Sequence, residues 1–96
     1  MNMITIVAKK TIKKEKKEEF KNLASKLIEE SRKEEGCIEY GLYEDLNNSS
    51  VVAFVERWEN EEAIKLHNST KHFTTLVPEL AKFQEGETEI TLYKKL

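Results

Sequence analysis

Val51-Val52-Ala53-Phe54-Val55-Glu56-Arg57-Trp58 is the stretch on which the fold turns. Rich in valine and aromatic residues, it reads as a strand. Side chains alternate along a strand, so Val51, Ala53 and Val55 take one face, and Val52, Phe54 and Trp58 take the other. Ahead of it the polar cluster Asp45, Asn47, Asn48, Ser49 and Ser50 is a turn. Ile38 to Tyr43, before the turn, is a second apolar strand, so the pair predicts an antiparallel hairpin.

Outward from the hairpin the period changes. Phe20, Leu23, Ala24, Leu27 and Ile28 recur at i, i+3, i+4, i+7 and i+8, one stripe of an amphipathic helix. Gly36 stands where a left-handed helix stop would need glycine. Met3 to Ala8 reads as the first strand. After the hairpin, Asn60 caps a helix whose first turn carries Glu61 and Glu62, favourable charges for its dipole. Ser69 or Thr70 caps a further helical segment with Phe73, Leu76, Val77 and Leu80, in which Pro78 predicts a bend or break. Glu87 to Tyr93, with Ile90 and Leu92 alternating, closes the sheet. The order β-α-β-β-α-β predicts an α+β, ferredoxin-like domain over residues 1–96: a four-stranded antiparallel sheet with helices on one face.

Helices can cover only one face of that sheet, yet both faces of Val51 to Trp58 are apolar, and Ile4 and Ile6 oppose Val7. A sheet with one wet face alternates more cleanly. A second copy of the same sheet is the simplest cover, so the sequence predicts a homodimer.

Composition narrows the function. Ninety-six residues allow one domain, with 39% hydrophobic and 35% charged residues. The net charge of −2 is not that of a nucleic-acid binder, and the basic-aromatic strand signature of RNA-recognition domains is absent. The longest apolar run, Val51 to Val55, is far short of a membrane span, and Lys9 and Lys10 interrupt any N-terminal signal-like stretch. A single cysteine excludes an intrachain disulfide. A cytoplasmic, reducing setting is therefore expected. The six lysines between Lys9 and Lys17, diluted by Glu15, Glu18 and Glu19, read as a solvated helix start.

The residues with chemistry gather late in the chain. Glu56 and Trp58 share a strand face, and an inward Glu56 needs a partner, because a lone buried carboxylate is costly. His67 lies one turn past Ala63 and Ile64 on the apolar stripe facing the sheet. Such a histidine is more often structural. A neutral imidazole there has a pKa near neutrality and can take a proton from an acidic phenol or quinol. Trp58 offers a flat wall to an aromatic ligand, and Asn68 a donor to a developing oxyanion. His72 reads as a surface or helix-packing residue. His67 and His72, five apart, do not share a helix face, so no metal site is expected. Cys37 reads as a small core residue, and three isolated glycines form no phosphate loop.

Glu35-Gly36-Cys37-Ile38-Glu39-Tyr40, Phe54 to Trp58, Glu62-Ala63 through His67, and His72-Phe73 follow one another in an order and spacing that resembles the antibiotic biosynthesis monooxygenase family. The resemblance implies a dimeric α+β barrel with the sheets face to face. It also implies oxygenation of an electron-rich phenol or quinol by O2, without metal, flavin or other cofactor. By position it makes Trp58, His67 and His72 pocket candidates, with Tyr40 and Glu56 behind them; His67 is the candidate base, and Asn68 and Phe73 join the substrate-binding set. The family's proline-glycine turn before the first helix is replaced by Lys13-Lys14-Glu15. The haem-degrading branch fits worse, since His67 stands at its tryptophan position, Val77 at its histidine position and Ala8 near its asparagine. The second reading is a non-catalytic dimeric barrel that binds a small hydrophobic molecule in a stress or signalling role.

Overall fold

The computed structural model describes residues 3–96. Four strands, β1 (Ile4–Ile12), β2 (Cys37–Asp45), β3 (Asn48–Trp58) and β4 (Gln84–Lys94), form one antiparallel sheet in the order β2-β3-β1-β4. Three helices, α1 (Lys17–Arg32), α2 (Glu61–Ser69) and α3 (Lys71–Ala81), complete the β-α-β-β-α-β order, and a 3-10 turn at Lys14–Lys16 leads into α1. The expected ferredoxin-like fold is the fold observed.

The hairpin turn is shorter than the polar cluster suggested. β3 already begins at Asn48, and Asp45 accepts a hydrogen bond from the Asn47 amide at 2.7 Å. On β3 the alternation is strict: Val52, Phe54, Glu56 and Trp58 are buried under the helices, while Val51, Ala53, Val55 and Arg57 are half-buried on the outer face. Phe20, Ala24 and Leu27 of α1 pack onto this inner face with Ile12 and Leu80. Each of the larger side chains among them, Phe20, Leu27, Ile12 and Leu80, contributes roughly 1.5–3 kcal/mol.

Three local expectations change. Gly36 is not a left-handed helix stop, since the only positive φ among the described residues is at Gly86. Gly36 instead lets α2 approach: a Cβ built there would stand 2.4 Å from Ala63 Cβ. Pro78 does not break α3, which runs through it. The split in the second helical part lies at Thr70, whose extended backbone (φ −67°, ψ 156°) ends α2 and whose hydroxyl accepts from the Phe73 amide at 3.2 Å to start α3. Finally, β1 continues past Ala8 to Ile12, so Lys9 and Lys10 lie in the sheet, and Lys10 is buried.

β4 is irregular. Lys9 pairs with Glu89 and Thr11 with Glu85, so Gly86, Glu87 and Thr88 stand opposite Lys10 alone. Such a bulge bends its strand, and Gly86 at φ 71° supplies the left-handed residue it needs.

Candidate functional site

Between the inner face of the sheet and α2 and α3 lies a cavity of about 310 Å³. Ile6, Ala8 and Phe54 form its floor, and Phe73, Val77 and Leu80 its apolar roof. Its mouth is on the β4 side, where Ile90 and Leu92 are exposed.

The polar residues of its walls begin with His67, a side chain only 2% exposed. α2 carries it because Asn60 caps the helix, accepting from the Ala63 amide at 2.9 Å, and sets Ala63 and His67 one turn apart on the buried face. The imidazole is packed on three sides by aromatic rings. Trp58 lies 4.4 Å away between ring centroids, Phe73 at 5.0 Å and Tyr40 at 5.5 Å. Its Nδ1 is 2.7 Å from Glu34 Oε2, and the same oxygen is 2.7 Å from His72 Nε2. A carboxylate oxygen has only lone pairs to offer, so both rings present an N–H to it. That fixes the His67 tautomer: Nδ1 carries the proton, and Nε2 keeps a free lone pair. Nε2 is buried with no hydrogen-bond partner among the described residues. Burial holds the His67 pKa below the usual histidine value, with the Glu34 contact pulling the other way.

Glu56 is the second inward acid and has the partner it needs: Trp58 Nε1 donates to its Oε1 at 2.9 Å. Burial still pushes its carboxyl up to about 7, while the Trp58 hydrogen bond and the Lys10 charge oppose the shift. Burial, then the Glu56 charge, drives the Tyr40 phenol well above its ordinary range, so Tyr40 stays neutral. Cys37 is likewise pushed up by burial, to about 11, which suits a thiol at rest rather than a nucleophile.

His67, Asn68, Tyr40, Glu56 and Phe73 all line the cavity. Trp58 is fully buried behind His67 and does not line it, and His72 lies outside it, tied to Glu34. The two histidines sit on different helices, so the one-helix spacing argument against a shared ligand set does not apply. Ligand atoms of Glu34, His67 and His72 fall within 4.8 Å of one another. As they stand, both contacts are hydrogen bonds, and a cation between them would have to displace both protons. Glu34, Lys10 and Thr88 are polar residues that sequence reasoning passed over.

The comparisons agree with this fold. The family model for antibiotic biosynthesis monooxygenases matches residues 3–79. "Putative monooxygenase YcnE" of Bacillus subtilis is 40% identical over 75 residues, which cover 78% of this chain and 79% of that one. A conserved protein from Methanosarcina mazei Go1, solved as a crystal structure, is 43% identical and superposes with a TM-score of 0.97, covering 100% of this chain and 95% of that one. A crystal structure of an antibiotic biosynthesis monooxygenase is 29% identical with a TM-score of 0.92, over 97% of this chain and 98% of that one. Sequence, fold and element order thus converge, and the chain belongs to the antibiotic biosynthesis monooxygenase family.

Proposed function

We propose that the protein is a cofactor-independent monooxygenase that oxidises a quinol- or phenol-like small molecule with O2. Family membership supports a monooxygenase-like function in general terms. The observation that carries the finer reading is His67 Nε2, buried and without a hydrogen-bond partner at the wall of an apolar, aromatic-lined cavity, with Glu34 held at Nδ1.

His67 Nε2 takes the acidic hydroxyl proton of the substrate. The resulting anion passes one electron to O2, and the radical pair closes to a carbon–oxygen bond. The imidazolium returns its proton to the distal oxygen. Loss of water, made from that O–H and the hydrogen of the oxygenated carbon, leaves a carbonyl. One oxygen atom enters the product, the other leaves as water, and the substrate supplies all the electrons. Asn68, which lines the cavity, donates to the developing oxyanion in this reading, and the apolar walls keep water from the anion. Neutral Tyr40, Phe73 and Glu56 shape the ring-binding surface, with Trp58 stacked behind the base.

The protein acts in this reading as a cytoplasmic homodimer. The half-buried outer-face residues Val7, Val51, Ala53 and Val55, which the helices cannot reach, support the pairing. Among the described residues no helix is long and apolar enough to cross a membrane.

The test is O2 uptake by metal- and flavin-free protein on a panel of hydroquinones, against a buffer blank. Turnover that falls by about 100-fold or more in His67→Ala is the expected result. Flat traces across the panel favour the ligand-binding barrel instead.

A further inference from the structure

The cavity also contains a cation that the oxygenation scheme does not use. Lys10 is 8% exposed and lines the cavity. Its Nζ donates to Thr88 Oγ1 at 2.8 Å and Gln84 Oε1 at 3.2 Å. An ammonium has three N–H donors, so one remains. Among the described residues no carboxylate lies within ion-pair distance of it, and Glu56 is the acidic group that acts on it from farther off. Burying a charge with only neutral partners is costly, and an anion arriving at the third donor offsets that cost.

The β4 bulge is what builds this corner. Three residues of β4, Thr88 among them, stand opposite Lys10, while Gln84 pairs with Ile12 just before the bulge, and both side chains reach the ammonium. Lys10 stands four residues along β1 from Ile6, the neighbour of Glu56. At a strand's rise that is about 13 Å between backbone levels before either side chain reaches inward. One cation with neutral partners matches a single negative charge, a carboxylate, better than a phosphate dianion.

We propose that Lys10, Thr88 and Gln84 form a carboxylate-binding subsite, so that the cavity takes an elongated aromatic hydroxy acid with its hydroxyl at His67 and its carboxylate at Lys10. The subsite rests on the cavity being the substrate site, as argued above, and its test is independent of turnover.

6-Hydroxy-2-naphthoate carries the two groups at opposite ends of a rigid bicycle, and 6-hydroxy-2-naphthamide is its neutral twin. Calorimetric titration of the wild-type protein is expected to give at least about ten-fold tighter binding of the naphthoate. Lys10→Met removes that preference and leaves the amide affinity unchanged, whereas Lys10→Arg keeps it. Equal affinity for the two probes in the wild type, no binding of either, or a preference that survives Lys10→Met overturns the subsite. The wild-type comparison stands even if Lys10→Met fails to fold. A carboxylate preference without O2 uptake keeps the subsite and removes the oxygenation reading. O2 uptake without the preference does the reverse.

Discussion

In the proposed reaction Glu34 decides what His67 can do, because a single carboxylate oxygen receives both imidazoles and leaves His67 Nε2 without a hydrogen-bond partner. Glu34→Gln keeps an oxygen that can accept from both rings but removes the negative charge that would face the imidazolium formed at His67. The expected outcome is a kcat about 10–100-fold lower with KM nearly unchanged. The base must be neutral to act, so kcat rises with pH through the His67 pKa, below the ordinary histidine value. Glu34 raises that pKa, so its loss moves the acid limb of the kcat profile to still lower pH, a shift that a purely structural role would not produce. Glu56 gives a second pH signature, in stability. Its carboxyl binds a proton more tightly folded (about 7) than at its ordinary 4.5. Stability from this group is therefore full at low pH, falls as pH rises from about 4.5 to 7, and is level above. The span is roughly 3 kcal/mol at most. Urea denaturation at pH 5 and pH 8 should show this slope in the wild type and lose it in Glu56→Gln.

Among the elements, the hairpin, the α1 stripe and the Asn60 cap were legible in the sequence because each rests on contacts within a few residues. Ile6, Ala8, Lys10 and Ile12 carry the same period-two signal, and Ile12 in particular marks β1 as longer than Met3 to Ala8, with Lys10 inward. The density of lysines hid it. Glu34 left no such trace: it lies between α1 and β2, and only the return of α2 and α3, with His67 33 and His72 38 residues away, gives it a role. The break at Thr70 was half legible, as a cap, but not as the corner that turns two histidines onto one carboxylate. Gly36 shows how little room that docking leaves. Gly36→Ala is expected to destabilise by about 1–3 kcal/mol as α2 is pushed outward, and Ala63→Gly in the same chain to recover most of it. Thermal denaturation of the two single variants and the double variant tests the coupling.

As a whole, the molecule is a slab of 41 × 30 × 19 Å, one sheet thick and one helix layer thick. Its outer face carries Val7, Ala53 and Val55 half-buried, with Tyr43 and Tyr93 more exposed at either side. Light scattering is expected to give twice the chain mass, and Val55→Lys to give a folded monomer. The sheet order has a further consequence for how the chain reaches its shape. β1 occupies the interior of the sheet, yet both its neighbours are strands made after it, and the Lys10–Thr88 contact closes a loop of 78 residues. Loop-closure entropy resists contacts of that length until the rest has gathered. The β2-β3 hairpin and α1 are then the early nucleus, with φ-values well above those of β4. The Lys10–Thr88 corner is the last part of the protein to come into existence and the first to be lost, so hydrogen exchange at β4 should report sub-global opening while the hairpin amides wait for global unfolding.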